Sequence, residues 1–156
     1  GEILKKKGIS RITSMKRELY SRDFTINTLL ETLDFSTIYD LTGDAISDIK
    51  SEIIRCPIDP DITIKSDPRR ILRAIRFSVK YNFAIEDGLK NAIKNNREMI
   101  KKLPLGFVQN KIAHIIRLDQ DAGVDLLIEY KILSLVPLTK YVYDVLIQKR
   151  KMIKAF

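Results

Sequence analysis

Asp67 and Arg70 place two complementary hydrogen-bonding groups three residues apart in the chain. An ionised carboxylate only accepts hydrogen bonds, whereas a guanidinium only donates them. Cytosine and adenine each present an exocyclic amine beside an unprotonated ring nitrogen, while uracil and guanine present a carbonyl beside a ring N–H. Because residues at i and i+3 share a helix face, an Asp–Arg pair of this kind can select cytosine and adenine over uracil and guanine.

The same segment also supports a purely structural interpretation. Asp67 followed by Pro68 is typical of a helix start, with an acidic cap and proline at the first helical position. The arginines would then form a solvated face and the apolar residues a buried one. The arginines are Arg69, Arg70, Arg73 and Arg76, and the apolar residues are Ile71, Leu72, Ile75 and Val79. This segment alone leaves both interpretations open.

The positive charge of the 156-residue chain is clustered within a formal net charge of +8. Residues 1–22 carry seven basic and two acidic residues, and residues 66–80 carry five basic and one acidic. Residues 140–156 again carry five basic and one acidic. Such clusters indicate a polyanionic partner, either RNA or the phosphates of a nucleotide. A lysine-rich composition without any partner is the alternative.

Several classes of protein and site are disfavoured by the composition. No apolar run approaches the ~18 residues that a membrane span needs, and the lysine-rich opening lacks the apolar core of a signal peptide. The single cysteine, Cys56, permits no internal disulfide and fits a reducing cytosol. Cys56 and the single histidine, His114, are too few for a zinc site built on such ligands. We therefore expect a cytoplasmic chain with no membrane partner and no metal-binding residues of its own.

The periodicity predicts an α+β chain that is mainly α. Hydrophobic residues make up 45% of the sequence, which is enough for a packed core. Two short strands are predicted at residues 36–40 and 53–56, with a turn at 41–43 and a loop at 59–61. The predicted helices cover residues 23–32, 44–51, 67–80, 86–95, 106–118 and 121–130, a further turn covers 97–102, and a last helix begins near residue 138 or 140.

Three segments, in order, resemble the bacterial-type (class II) tRNA nucleotidyltransferases and poly(A) polymerases. Residues 22–29 read RDFTINTL and are similar to the family motif RRDFTINAL. Residues 40–55 match the next family segment at Asp40, Gly43, Asp48-Ile49 and Ile54-Arg55. Residues 67–77 resemble the family helix EDPLRILRAxRF, which reads the incoming base. The resemblance covers residues 12–118 clearly and the remainder loosely.

This resemblance implies a domain organisation and an activity. Residues 1–62 would form the strand-containing end of a nucleotidyltransferase head, residues 63–118 a helical neck, and residues 119–156 the start of a helical body. The parent protein would add CMP and AMP (CCA), or AMP alone (poly(A)), to RNA 3′ ends without a nucleic-acid template. The implied partners are ATP, CTP where C is added, and RNA, with a tRNA 3′ end as the expected substrate. The motifs do not separate CCA addition from poly(A) addition.

The resemblance also implies a set of nucleotide-binding residues, which are Arg22, Asp23, Asn27, Asp67, Arg70, Arg73 and Arg76. Arg22 would contact the phosphates or sugar, and Asp23 with Asn27 would hold the ribose or brace their helix. Asp67 would accept from the base amine and Arg70 would donate to the ring nitrogen. Arg73 and Arg76 would lie near the triphosphate or orient that pair, and a structural role for both stays open. A salt bridge between Asp48 and Arg55 is the preferred interpretation of those two residues.

The chain departs from the family pattern at several positions. Ser21 replaces the first arginine of the first motif, and Ser66 replaces a glutamate beside Asp67 that would orient it. Residues 106–108, Gly-Phe-Val, stand where the family often has Glu-Arg-Ile. The absence of that glutamate at Ser66 predicts a less rigid base-reading pair, and residues 106–108 predict a different support at that point.

The family's catalytic metal site is not recognisable in this sequence. Phosphoryl transfer in the family needs two carboxylates spaced two apart, which hold two Mg²⁺ ions. Upstream of Arg22 there is no such pair, and Asp59 and Asp61 come too late and are interpreted as loop residues. We therefore expect no catalytic residue in this chain, with the metal carboxylates N-terminal to Gly1. On this expectation the chain is a fragment that binds nucleotide weakly and does not catalyse.

Two rival functions remain on sequence grounds. One is a non-catalytic helical RNA-binding module that keeps the fold without the catalytic head. The other is a helical scaffold with an unused basic face, for which alanine at Asp67 and Arg70 would leave nucleotide binding unchanged.

Overall fold

The computed structural model describes residues 14–156. Its α-helices are α1 (Ser14–Ser21), α2 (Ala45–Lys50), α3 (Pro60–Ser66), α4 (Arg69–Tyr81), α5 (Asp87–Asn96), α6 (Leu105–Leu118), α7 (Gln120–Glu129), α8 (Lys140–Gln148) and α9 (Met152–Ala155). Short 3-10 turns lie at Thr25–Asn27 and Arg97–Lys102. The strands are β1 (Leu30–Glu31), β2 (Ile38–Tyr39), β3 (Ile53–Ile54) and β4 (Ala84–Ile85). The predicted class, α+β and mainly α, is confirmed.

The predicted helix at residues 23–32 is wrong. Phe24 is extended (φ −132°, ψ 149°), and it is followed by the Thr25–Asn27 turn and then by β1, which pairs antiparallel with β2. The carboxylate of Asp23 accepts hydrogen bonds from the Phe24 backbone N–H (2.9 Å) and the Asn27 side-chain amide (3.1 Å). Side chains that bond to the local backbone in this way compete with helix formation.

The sequence-based prediction also missed α3 and β4. Asp59-Pro60 was interpreted as a loop, yet the Asp59 carboxylate accepts from the Asp61 N–H (2.8 Å) with Pro60 at the helix start. The arrangement of an acidic N-cap followed by proline, which the sequence predicts at Asp67-Pro68, is therefore found at Asp59-Pro60. Strand β4 pairs in parallel with β3 across some 30 residues of sequence, so its formation depends on a distant partner.

The remaining predicted helices are confirmed within a few residues. The helix predicted at 67–80 is α4, which ends where Asn82 adopts a left-handed conformation (φ 55°). Its apolar face, including Ile71, Leu72 and Ile75, is buried in a core that extends from Phe24 to Ala155. Burial of this face leaves the arginines of α4 on the opposite side, towards the site described below. The domain division at residues 62/63 falls within α3 and stays a prediction.

None of the described helices is long and apolar enough to cross a membrane.

Gly123 allows α7 to approach α6 closely. A Cβ atom at this position would lie 2.8 Å from the Ile115 carbonyl oxygen and 3.2 Å from the Ile116 Cα. Because these are backbone atoms, Gly123→Ala should destabilise the fold by about 1–3 kcal/mol. Thermal unfolding followed by circular dichroism would measure this as a drop in Tm of roughly 2–4 °C per kcal/mol.

Gly106 provides the matched control for this substitution. A Cβ atom at Gly106, in the first turn of α6, would meet no atom within 4 Å. Gly106→Ala should therefore leave Tm unchanged or raise it slightly through helix propensity. Equal Tm values for the two alanine variants would contradict the close approach at Gly123.

Tyr130 is 1% exposed, and its hydroxyl has no hydrogen-bond partner within the described part of the chain. Burial raises the pKa of this phenol. Since an unpartnered buried hydroxyl costs roughly 1–3 kcal/mol, Tyr130→Phe should keep the packing and raise the free energy of unfolding. Urea denaturation would measure the change, and a loss of stability would indicate that the hydroxyl does have a partner.

Candidate functional site

A cleft of about 610 Å³ lies between the segment 22–27, the helix α4 and the helix α6. Its lining residues are Arg22, Asp23, Asn27, Asp67, Arg69, Arg70, Leu72, Arg73, Arg76, Phe107, Lys111 and Ile115. The cleft thus brings together all seven residues that the sequence proposed for nucleotide binding. Six cationic side chains and two carboxylates face it, which suits a polyanion.

Asp67 lies just before α4 in extended conformation (φ −154°, ψ 97°), and it pairs with Arg69. Its Oδ1 accepts from the Arg69 backbone N–H (3.1 Å) and Nε (2.9 Å), and its Oδ2 accepts from a terminal guanidinium nitrogen of Arg69 (2.8 Å). The hydrogen bond from the Arg69 side chain is the main cause of a lowered pKa at Asp67. The expectation that Asp67 and Arg70 occupy one helix face is therefore wrong, because only Arg70 lies inside the helix.

Arg70 is held by three oxygen acceptors from two other segments. It donates to the Thr63 carbonyl and the Ser66 hydroxyl, both at 3.1 Å, and to the Ser21 carbonyl at 3.1 Å. Ser66, which departs from the family pattern, therefore still positions Arg70. Ser21 contributes through its backbone, where the type of side chain matters little.

Asp23 is 6% exposed and joins the segment 22–27 to α4. Besides Phe24 and Asn27, it pairs with the Arg73 guanidinium, fifty residues away. Arg22 donates to the Asn27 carbonyl (2.6 Å) and to Glu18 (3.1 Å). Asp23 and Asn27 thus brace this segment through a 3-10 turn, where the sequence suggested a helix.

Arg73 and Arg76 flank the ring of Phe77, each with its guanidinium carbon 5.0 Å from the ring centroid. The buried Nε of Arg76 has no hydrogen-bond partner among the residues that the structure describes. Within the same residues, no carboxylate pairs with Arg70, Arg76 or Lys111. These three cations leave positive charge in the cleft that its own carboxylates do not balance.

The sequence-based prediction missed Arg69, Leu72 and the contribution of α6. Phe107, Lys111 and Ile115 follow one another at four-residue spacing, so they form a single stripe of that helix facing the cleft. The Lys111 ammonium lies 5.5 Å from the Phe107 ring centroid. The four-residue spacing is visible in the sequence, but no feature of the sequence indicates which helix lies opposite α4.

The Asp48–Arg55 salt bridge is confirmed. The Arg55 Nε lies 3.2 Å from the carboxylate of the buried Asp48, which also accepts from the Thr25 hydroxyl (2.6 Å). The pair therefore fixes α2 against the end of β3 and the Thr25–Asn27 turn.

A divalent metal ion does not fit the acidic groups of this site. Among the described residues no three His, Cys, Asp or Glu side chains form a possible metal site. Asp23 and Asp67 are both engaged by arginines. Asp59 caps α3, and Asp61 pairs with Lys65 (2.8 Å) and Asn96 (2.7 Å).

The other two basic clusters have different surroundings. In the C-terminal cluster, Lys149 pairs with Asp121 and Lys151 lies 3.5 Å from Asp125, so part of this charge is compensated within the chain. Most of the N-terminal cluster lies outside the described residues. Within the described residues, the cleft gathers the unpaired positive charge of Arg70, Arg76 and Lys111 around one cavity.

Comparison with known proteins assigns the chain to a family. The Poly A polymerase head domain family matches residues 2–55. The CCA-adding enzyme of Lactobacillus helveticus is 36% identical over 103 residues, which is 66% of this chain and 25% of the enzyme. The A-adding tRNA nucleotidyltransferase of Aquifex aeolicus is 32% identical over 127 residues, 78% of this chain and 15% of that protein. The chain belongs to the tRNA nucleotidyltransferase and poly(A) polymerase family.

A solved tRNA nucleotidyltransferase supports the same conclusion for the fold. The crystal structure of a tRNA nucleotidyltransferase complexed with a primer tRNA and an incoming ATP analog superimposes with a TM-score of 0.70 and 28% identity. The superposition covers 92% of this chain and 44% of the solved tRNA nucleotidyltransferase chain. The chain spans a quarter or less of the length of these curated nucleotidyltransferases.

Proposed function

We propose that this chain is the base-selecting part of a template-independent tRNA nucleotidyltransferase and that its cleft binds CTP and ATP. The observation that carries the proposal is the convergence of Asp67 with three unbalanced cations, Arg70, Arg76 and Lys111, on one cleft. A nucleoside triphosphate combines a flat base edge with several negative charges, so it needs both kinds of group. The similarity to CCA-adding and A-adding enzymes supports this choice of ligand.

The hydrogen-bonding capacity left in the cleft suits a base edge. Three of the five N–H donors of Arg70 are used by protein acceptors, so two remain for a ring nitrogen. Asp67 can accept from the neighbouring exocyclic amine. In this proposal the pair distinguishes cytosine and adenine from uracil and guanine by the positions of their donors and acceptors.

The positive charge is placed to bind the phosphates. Arg76 and Lys111 come from two different helices and have no carboxylate partner among the described residues, and Arg22 also lines the cleft. Because these contacts are largely electrostatic, nucleotide affinity should fall as salt is added. Arg73 supports phosphate binding mainly by anchoring Asp23 through its Nε, and its terminal guanidinium N–H groups remain available as donors.

The carboxylates that the structure describes in the cleft do not form a metal site of three or more ligands. The parent enzyme would use Mg²⁺, but the carboxylates near the cleft are already paired, so ligands from elsewhere would be required. We therefore assign nucleotide selection to this chain, and AMP or CMP transfer to a tRNA 3′ end to the whole protein.

Equilibrium binding of the four ribonucleoside triphosphates to the full chain tests the proposal. Isothermal titration calorimetry at low salt should give smaller Kd values for CTP and ATP than for UTP and GTP. The preference should persist in EDTA, since both carboxylates of the described cleft are engaged by arginines. Equal Kd values for all four would contradict base selection.

A non-catalytic RNA-binding module predicts a different result in a parallel experiment. Binding of a tRNA lacking its 3′-terminal nucleotides would be measured by fluorescence anisotropy with and without CTP. RNA binding without any nucleotide preference would favour that alternative. The full-length protein should also extend the same tRNA, ending after C, C and A for a CCA-adding enzyme and continuing with A for a poly(A) polymerase.

A further inference from the structure

Arg69 holds the carboxylate of Asp67 from two directions. One contact comes from its backbone N–H, and two come from the side-chain fork, at 2.9 and 2.8 Å. A planar fork that meets both oxygens fixes the plane of a carboxylate as well as its position. No other side chain of the described residues pairs with Asp67.

This arrangement limits what Asp67 can still accept. A carboxylate offers about four lone-pair positions, two on each oxygen. Both positions of Oδ1 are taken by Arg69, and one position of Oδ2 is taken by its terminal nitrogen. A single acceptor position therefore remains on Oδ2, which matches a single exocyclic amine.

The neighbouring sequence explains why such a clamp is needed here. The family helix EDPLRILRAxRF has glutamate and leucine at the positions of Ser66 and Arg69. The Ser66 hydroxyl donates to the Thr63 carbonyl and accepts from Arg70, and it forms no hydrogen bond with the Asp67 carboxylate. Without Arg69, no side chain of the described residues would hold that carboxylate.

We propose that Arg69 is a positioning residue that determines base specificity by orienting the one free acceptor of Asp67 towards the exocyclic amine of cytosine or adenine. The inference rests on the proposed function of the cleft. It adds a residue that acts through Asp67, so its removal should change discrimination between bases more than affinity for phosphates.

Lys65 offers a matched control. Its side chain is 58% exposed, as is that of Arg69, and it forms a 2.8 Å ion pair with a carboxylate, as Arg69 does. Lys65 does not line the cleft. Arg69→Leu and Lys65→Leu therefore remove the same charge and a similar surface ion pair, and both should leave Tm nearly unchanged because exposed pairs contribute little to stability.

The experiment measures Kd for CTP and for UTP with the full chain and each variant. Arg69→Leu should lower the ratio of the UTP to the CTP constant about fivefold, the worth of one hydrogen bond. Lys65→Leu should leave the ratio unchanged. Arg69→Lys, which keeps the charge without the planar fork, should give an intermediate ratio and decides the question if the leucine variant does not fold.

Each other outcome overturns a different statement. A wild-type chain with no preference for CTP contradicts the proposed function itself. A wild-type preference that survives both substitutions at Arg69 contradicts only the positioning role. Tighter binding of CTP by Arg69→Leu would mean that Arg69 competes with the base, and an equal loss for both nucleotides would mean that Arg69 contacts the phosphates.

Discussion

Asp67→Asn should strongly weaken the preference of the chain for CTP over UTP, leaving only the share that Arg70 contributes. The asparagine amide carries both a carbonyl and an NH₂ group, so it can turn its donor towards the uracil carbonyl as readily as its acceptor towards the cytosine amine. A well-placed bidentate contact contributes about 1–3 kcal/mol of discrimination between bases. The ratio of Kd values should therefore fall about tenfold, the worth of one hydrogen bond to a charged group, as measured by calorimetry with each nucleotide.

Asp61→Asn is the control for this substitution. Asp61 is also a carboxylate paired with a neighbouring cation, Lys65, but it lies outside the cleft. This variant should keep the full discrimination between CTP and UTP. An unchanged ratio in Asp67→Asn would show that another group accepts from the exocyclic amine of the base.

The pH dependence provides an independent check on Asp67. The hydrogen bond from Arg69 is the main reason that the pKa of this carboxyl lies below its ordinary value, which is about 3.9. Because the pKa of Asp67 is lowered, its carboxyl group is fully ionised at any pH well above the ordinary value. It becomes protonated only as the pH falls through the lowered pKa. Discrimination by the wild-type chain should therefore stay constant between about pH 8 and pH 5. A loss within that range would indicate a different titrating group.

The arginine face of the cleft could be predicted from the sequence, because it follows from one long helix. In α4 the buried positions Ile71, Leu72 and Ile75 fix the helix orientation, and Arg70, Arg73 and Arg76 necessarily share the other side. Their common presence in the cleft needs no knowledge of the rest of the fold. The motif resemblance added the segment 22–27 that faces them.

The contacts of Asp67 could not be predicted in the same way. They depend on the helix beginning at Arg69, two residues later than the sequence suggested. This shift leaves Asp67 in extended backbone, from where its carboxylate folds back over the helix start and meets Arg69. A difference of two residues at a helix end, which hydrophobic periodicity does not resolve, thus changes the partner of the central acidic residue.

Strand β4 was missed for a different reason. It has only two residues and is held by its pairing with β3, which was predicted, so β4 carries no pattern of its own. At residues 23–32, polar side chains such as Asp23 and Thr28 bond locally and override the apolar spacing. In both segments the structure is determined by particular hydrogen bonds, which the spacing of apolar residues in the sequence does not reveal.

Arg73→Met should destabilise the fold by about 2–3 kcal/mol, because it leaves the buried carboxylate of Asp23 without its cation. The loss is smaller than for a fully enclosed pair, since the side chain of Arg73 is 41% exposed while that of Asp23 is only 8% exposed. Tm should fall by roughly 4–12 °C. The triphosphate affinity should also fall, since Asp23 braces the segment that carries Arg22.

A double-mutant cycle with Asp23→Asn isolates the pair. Asparagine keeps an acceptor for the Phe24 N–H and removes the charge, so the double variant should lose less stability than the two single variants added together. Lys101→Met is the control, because it removes a 2.8 Å ion pair whose partners are both exposed, and it should cost less than about 0.5 kcal/mol. Additive losses would mean that Asp23 and Arg73 stabilise the fold independently. The bridge between the segment 22–27 and α4 would then depend on Arg70 and its bond to the Ser21 carbonyl.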